Sequence, residues 1–196
     1  RVGTDVSHGS NLFSVLHNWR ANPRLYRDQY EWVRRKAQQA FGDIFDDLAI
    51  VPNGDVVSVT FFGPGGSDQG LPARRAADGL IVGLLHLAAI AGARDGSLVA
   101  LDEMENQLHP HAIRVILGGM RELAETRDLT IILTTHSPVL MDEFRGATDR
   151  FFVTEQGGPR FPVPLDELHD PRGLAQSSLG GLYERLRIAA PIIPKA

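Results

Sequence analysis

Two short apolar runs place the strongest constraint on this chain. Ser97-Leu98-Val99-Ala100-Leu101 and Thr130-Ile131-Ile132-Leu133-Thr134 are continuous rather than alternating in polarity, which reads as strands covered on both faces. Between them, Pro110 to Thr126 carries Ile113, Ile116, Leu117, Met120 and Leu123 at helical spacing. Strand, helix, strand in that order specifies a parallel pair joined by a crossover helix, and so an α/β fold. Each run also ends in polar residues: Asp102-Glu103 after the first, Thr134-Thr135-His136-Ser137-Pro138 after the second. Open α/β sheets bind ligands beyond the carboxyl ends of their strands, where both clusters fall.

The rest of the chain supplies the frame. Ser10 is placed to cap a short helix over Asn11–Arg20, and Asn22-Pro23 to open a second one. In that second helix Tyr26, Tyr30, Val33, Ala37 and Phe41 recur every three or four residues, with Gly42 as a stop. Its opposite face bears Arg27, Arg34 and Arg35, either a solvated surface or a contact for phosphates; the solvated surface is the plainer reading. Leu48–Val51 and Val56–Phe62 flank Pro52-Asn53-Gly54-Asp55 and read as a hairpin. The glycine-rich stretch Gly63 to Gly70 reads as a flexible loop. A helix is expected from Arg74 to Ala91, a third buried strand at Phe151–Thr154, and a short helix near Leu179–Ile188 in a proline-rich tail. Gly118 and Gly119 each weaken their helix by about 1 kcal/mol relative to Ala, so close packing against a neighbour is expected there.

Composition removes several classes. With 196 residues and 43% apolar content the chain suits one domain, or one compact domain with an appendage. No cysteine is present, so disulfides, thiolate zinc sites and thiol nucleophiles are excluded, in keeping with a cytoplasmic location. The longest apolar run, near Leu80–Ala91, is too short to span a bilayer, and no membrane role is expected. The first residues resemble neither a signal peptide nor a natural start. A net charge of -4 argues against a surface devoted to nucleic acid, though not against a local arginine patch. Of the 20 basic residues only Lys36 and Lys195 are lysine, and neither is followed by Ser or Thr. A complete phosphate-gripping P-loop is therefore missing from these residues.

The acids and the histidine carry the chemistry. An Asp at a strand end can serve Mg²⁺, which favours hard oxygen ligands and keeps several waters. The adjacent acid, Glu103, can take a proton from an attacking water. His136 can contact a terminal phosphate and orient that water. A second reading puts Asp102, Glu103 and Glu105 around two metal ions, as in a metal-dependent phosphohydrolase or nuclease. His109 and His111 form a His-x-His that could hold a metal, but a non-ligating role is the stronger reading.

The stretch Leu101-Asp102-Glu103-Met104-Glu105-Asn106-Gln107-Leu108-His109-Pro110, followed by Thr134-Thr135-His136-Ser137-Pro138, closely resembles the C-terminal half of ABC-type ATPases. The nearest branch is the group around RecF, the OLD proteins and SMC proteins, where the stretch reads roughly D-E-P-E-N-G-L-H-P and then T-T-H-S-P. The likeness is specific from Ser97 to Met141 and recognisable over Ser10–Ile90 and Ser178–Tyr183.

The resemblance implies a P-loop NTPase fold of the ABC-ATPase class. This chain would form its C-terminal lobe, a parallel sheet flanked by helices with a small helical and β-hairpin N-terminal segment. It implies three segments: 1–70 helical and hairpin, 71–165 the ATPase core, and 166–196 a tail. Asp102 would be the Walker B aspartate serving Mg²⁺, Glu103 the general base and His136 the switch histidine. Glu105–Leu108 would form the D-loop at a dimer interface, with Asn106 near nucleotide. Ala76-Ala77-Asp78-Gly79 aligns with the signature motif, so Ala77, Asp78 and Gly79 would face the γ-phosphate of ATP held by another subunit. Ala77 departs from the family's serine, and Met104 and Gln107 depart at positions without chemistry. ATP and Mg²⁺ are the implied cofactors. A second copy, or an N-terminal ATPase lobe carrying the P-loop, is the implied partner, with DNA or a nuclease as a further one. This chain by itself would not hydrolyse ATP, and an exposed flank of the Leu98–Leu101 strand would need covering. A degenerate, non-hydrolysing interaction module remains the other alternative, which Ala77 favours.

Overall fold

The computed structural model describes residues 11–54, 56–65, 70–154, 161–168 and 178–184. The chain forms two compact units, residues 1–134 and 135–196.

In the first unit, α1 (Leu12–Ala21) and α2 (Pro23–Phe41) are separated by Asn22, with Pro23 in the first helical turn as expected. The expected capping residue Ser10 lies outside the described residues, and Asn11 occupies the N-cap without capping the first turn through its side chain. Tyr26 departs from helical geometry and kinks the start of α2. Strands β1 (Asp47–Asn53) and β2 (Val56–Phe62) pair antiparallel. The first strand runs two residues further than the sequence suggests, so Pro52 and Asn53 pair with Val57 and Val56, and the turn begins at Gly54, φ +61°. A short β3 (Leu71–Pro72) adds to β2. Helix α3 (Asp78–Ala91) starts four residues later than expected, because Ala73–Arg75 form a 3₁₀ turn and Ala76 and Ala77 are extended.

The parallel pair is present: β4 (Leu98–Leu101) and β5 (Thr130–Leu133) run side by side, joined through α4 (Pro110–Arg127). Burial on both faces is not. Leu98, Ala100, Thr130 and Ile132 share one face and are exposed, Leu98 by 59% and Ile132 by 50%, while Val99, Leu101, Ile131 and Leu133 are half-buried. A parallel strand is covered on both faces only when helices pack against both. Both strands are also edges of a two-stranded sheet among the described residues.

The core of this unit lies between α2, α3 and α4. Val33, Ala37, Leu84, Leu87, Ile113, Ile116 and Met120 are each at most 3% exposed. Gly83 lets α3 approach α2, since a Cβ there would meet the Phe41 ring at 2.5 Å. Of the paired glycines in α4, only Gly119 is a close-packing site, 3.0 Å from the Trp32 ring by the same measure; Gly118 is exposed with nothing within 4 Å. A polar clasp joins the same helices: Trp32 Nε1 donates to Glu122 Oε1 at 3.1 Å, and Lys36 Nζ pairs with Glu122 Oε2 at 2.7 Å.

His86 is the buried polar residue of α3, 7% exposed. Burial lowers its pKa to about 4, against the opposing pull of Glu105. The folded state therefore holds it neutral, while the unfolded chain takes up a proton below about 6.5. Stability from this group is full above pH 6.5 and lost as pH falls toward 4, with a slope of at most about 1.4 kcal/mol per pH unit. Denaturant melts of the wild type and His86→Leu between pH 7 and pH 4.5 are expected to show a shallower pH dependence in the variant.

The second unit has its own small core of Met141, Val153, Leu165 and Leu179, with Phe144, Phe151, Leu168, Leu182 and Tyr183 packed around it. Its elements are α5 (Pro138–Asp142), β6 (Phe152–Val153), β7 (Val163–Pro164), α6 (Leu165–Leu168) and α7 (Leu179–Glu184). The expected strand at Phe151–Thr154 is thus short and pairs antiparallel with β7, rather than extending the parallel sheet. The backbone explanation is the return at Val163, which offers β6 its partner locally. The end of the helix expected to reach Ile188 lies outside the described residues. No described helix is long and apolar enough to cross a membrane.

Candidate nucleotide-hydrolysis site

The loop leaving β4 is built around two apolar anchors. Met104 is fully buried and Leu108 is 9% exposed, so the intervening polar residues are held at the surface. Asp102 and Asn106 are exposed and Glu103 is half-buried. Two non-glycine residues in this loop take left-handed backbone angles, Glu103 at φ +44° and Gln107 at φ +64°. Such angles cost on the order of 1–2 kcal/mol in an L-residue and cluster where surrounding structure holds a site in place.

Thr134, the residue after β5, ties the acids to the neighbouring strand. Its Oγ1 donates to Asp102 Oδ1 in a short hydrogen bond, and accepts from the Glu103 backbone N–H at 2.9 Å. Its own N–H donates to Leu101 O at 3.0 Å, continuing the parallel ladder. One hydroxyl therefore orients the carboxylate of Asp102 and pins the backbone of Glu103. Asn106 completes the group: its Nδ2 donates to Glu103 Oε2 at 2.7 Å, and its N–H to Glu103 O at 3.0 Å. Asp102, Glu103 and Asn106 are brought together as one network. Thr134 is a member that the strand pattern left unmarked; its signal was its place at the polar end of β5.

The aligned signature residues lie at the start of α3. Ala77 occupies the N-cap and provides no side-chain hydrogen bond, whereas a serine there would accept one from the first turn. Asp78 sits in the first turn, where a negative charge suits the helix dipole. Gly79 abuts the acid loop: a Cβ at Gly79 would lie 2.4 Å from Gln107 O. Glycine at 79 is thus needed for packing of α3 against the loop, independently of any phosphate.

Gln107 stands where the resembling pattern has glycine, and its φ of +64° supplies the reason for that glycine. Gln107→Gly is expected to stabilise the fold by roughly 0.5–1 kcal/mol, relief of the left-handed strain exceeding the added freedom of the unfolded chain. A thermal melt checks this; a lower melting temperature would contradict it.

His136 belongs to the second unit. It is exposed, and its Nδ1 lies 3.0 Å from the Tyr183 hydroxyl, with the two rings tilted at 42°. Tyr183 reaches it because α7 packs tightly on α5. A Cβ at Gly180 would meet Pro138 O at 2.5 Å, and Gly180 N–H donates to Asp142 Oδ1 at 2.9 Å. The hydrogen bond orients the imidazole through Nδ1. The Ser178–Tyr183 stretch marked this partner only by resemblance, without a role.

His109 and His111 have structural tasks. His109 Nδ1 accepts from the His111 N–H at the start of α4, and His111 Nε2 contacts Gln39 O at 3.0 Å. Among the described residues no three His, Asp or Glu side chains converge as a metal cage.

The model of the family described as "AAA domain, putative AbiEii toxin, Type IV TA system" covers residues 10–142. No curated protein matches the chain.

Proposed function

The chain belongs to this AAA-domain family, and from that premise we propose that it supplies the water-activating half of an ABC/RecF-like ATP site. Membership supports nucleotide binding and ATP hydrolysis with Mg²⁺ in general terms. The finer reading is ours: this is the C-terminal lobe of such an ATPase, and the P-loop comes from another segment or polypeptide.

The observation that carries the reading is the Thr134-centred network joining Asp102, Glu103 and Asn106 across two parallel strands. The residues fit Mg²⁺: Asp102 is an exposed carboxylate whose direction is held by Thr134, and Mg²⁺ takes one or two carboxylates together with waters and phosphate oxygens. When bound, the ion neutralises charge on the phosphates. Glu103 accepts the proton of the attacking water while Asn106 holds its other carboxylate oxygen. Ala77, Asp78 and Gly79 present the N-terminus of α3 to nucleotide on a second copy, and His136 takes the phosphate-sensing role, its ring oriented by Tyr183. The exposed face and edge of β4, with Leu98 at 59% exposure, are where the P-loop lobe adds its strand. ATP-driven dimerisation would then act on DNA or a partner protein in the cytoplasm.

No observation favours the alternative built on Asp102, Glu103 and Glu105 around two metals. Ala77 is compatible with slow turnover but does not disturb the Asp102–Glu103 network. The test uses the protein together with its P-loop. Mg²⁺-dependent release of phosphate from ATP is expected. Metal-dependent cleavage of DNA without ATP would replace this reading with the nuclease, and failure to bind ATP would reduce the chain to an interaction module.

A further inference from the structure

Glu103, the base of the proposed reaction, stands on a backbone conformation that its residue type does not favour. Its φ of +44° lies in the left-handed region, where Cβ crowds the following carbonyl oxygen. Such a conformation persists only where neighbouring groups over-determine it. Asn106 supplies one restraint within the loop, its N–H donating to Glu103 O at 3.0 Å. The other comes from the neighbouring strand, 31 positions along the chain: Glu103 N–H donates to Thr134 Oγ1 at 2.9 Å.

A threonine hydroxyl has one proton and two lone pairs. Thr134 gives the proton to Asp102 Oδ1 and receives the Glu103 N–H on a lone pair. Donation to a carboxylate is charge-assisted, and it makes the donating oxygen a better acceptor in turn. The Asp102 carboxylate therefore strengthens the hold of Thr134 Oγ1 on the backbone of Glu103. Thr134 is itself fixed, because it follows β5 directly and its N–H donates to Leu101 O at 3.0 Å. Its side chain is exposed, so the hydroxyl serves the acid loop and not the core.

We propose that Thr134 is a positioning residue that holds Glu103 in its left-handed conformation and so keeps the carboxylate turned to the attacking water. The inference rests on the reading of Glu103 as the base. Thr134 acts on the reaction through the backbone of Glu103 and transfers no proton itself. One hydrogen bond to the N–H and the strain of a left-handed residue are comparable in size. Loss of the hydroxyl therefore tips Glu103 toward negative φ and swings its side chain away.

Two substitutions in the protein assembled with its P-loop test this. Thr134→Val keeps the branched shape and removes the hydroxyl, whereas Thr134→Ser keeps the hydroxyl. Thr134→Val is expected to lower kcat by about 10–100-fold, as loss of a group that orients a catalytic residue does. KM for ATP is expected to stay within about 3-fold, since the interaction lost is one used in the transition state. Thr134→Ser is expected to restore kcat. Crystal structures are expected to show Glu103 at negative φ in Thr134→Val and at positive φ in Thr134→Ser. Thr134→Ala, also without a hydroxyl, gives the same readings if valine disturbs the fold, which circular dichroism will reveal. Unchanged kcat in Thr134→Val, an equal loss in Thr134→Ser, or a Glu103 still left-handed in Thr134→Val would overturn the assignment. A wild type that hydrolyses no ATP would instead overturn the ATPase reading, and the φ of Glu103 in the variants judges the hold of Thr134 in either event.

Discussion

Glu103→Gln in the ATPase assembled with its P-loop is expected to reduce kcat by about 10²–10⁴-fold while ATP remains bound. The substitution is chosen because it alters one property. Glutamine keeps the length of the side chain and an oxygen able to accept from Asn106 Nδ2, now 2.7 Å from the carboxylate. The backbone tie from Glu103 N–H to Thr134 Oγ1 is untouched. What disappears is the capacity to take a proton from water. The loss corresponds to about 3–5 kcal/mol of barrier, well beyond what one altered hydrogen bond would produce. Single-turnover hydrolysis and equilibrium nucleotide binding, measured together, decide the matter. Unchanged kcat would remove Glu103 from the role of base, and loss of ATP binding would make it a structural residue. Asn106→Ala is expected to fall between, since it removes one hydrogen bond to the Glu103 carboxylate without removing the acid.

Ile116→Ala is expected to produce the largest loss of stability, about 2–5 kcal/mol. Ile116 is fully buried at the centre of the layer formed by α2, α3 and α4. Its Cδ1 lies 3.4 Å from the position a Cβ at Gly83 would occupy, beside the Phe41 ring. Close helix approach at Gly83 already sets α3 against the Phe41 ring, so the helices cannot move in to close the space and a cavity persists. Against a typical total stability of roughly 5–15 kcal/mol, the variant sits near the edge of folding. Ile116→Val, losing one methylene, is expected to cost about 0.5–1.5 kcal/mol. Chemical denaturation of the two variants checks both size and order, and near-equal values would contradict the packed layer.

Local sequence was a sufficient guide wherever a periodicity or a turn residue carries the information. The stripe Ile113, Ile116, Leu117, Met120 predicted α4 and its buried face. Asn22-Pro23 marked the junction of α1 and α2, and the hairpin of β1 and β2 formed around Gly54. The parallel pairing of Leu98–Leu101 with Thr130–Leu133 followed from strand, helix, strand order. In the site, the polar ends of those strands singled out Asp102 and Glu103. Failures arose where an outcome depends on what packs alongside. Apolar character in Leu98 and Ile132 says that they would tolerate burial, not that a helix arrives to cover them. Phe151–Thr154 has strand-forming residues, but only the return at Val163 decides that its partner is antiparallel.

By itself the sequence determined an α/β chain with a crossover pair, two acids at the end of one strand and no lysine suited to a P-loop. These are properties of residue order, carried by side-chain periodicity and by chemistry that no fold can add. Only the tertiary structure decided that Thr134 serves both acids, that Asn106 holds Glu103, and that Tyr183 meets His136. It also decided that Gln107 is left-handed. Each of these joins groups distant in sequence, or sets a backbone angle under packing. A hydrogen bond of 3 Å has no signature in a chain until the fold brings its two ends together.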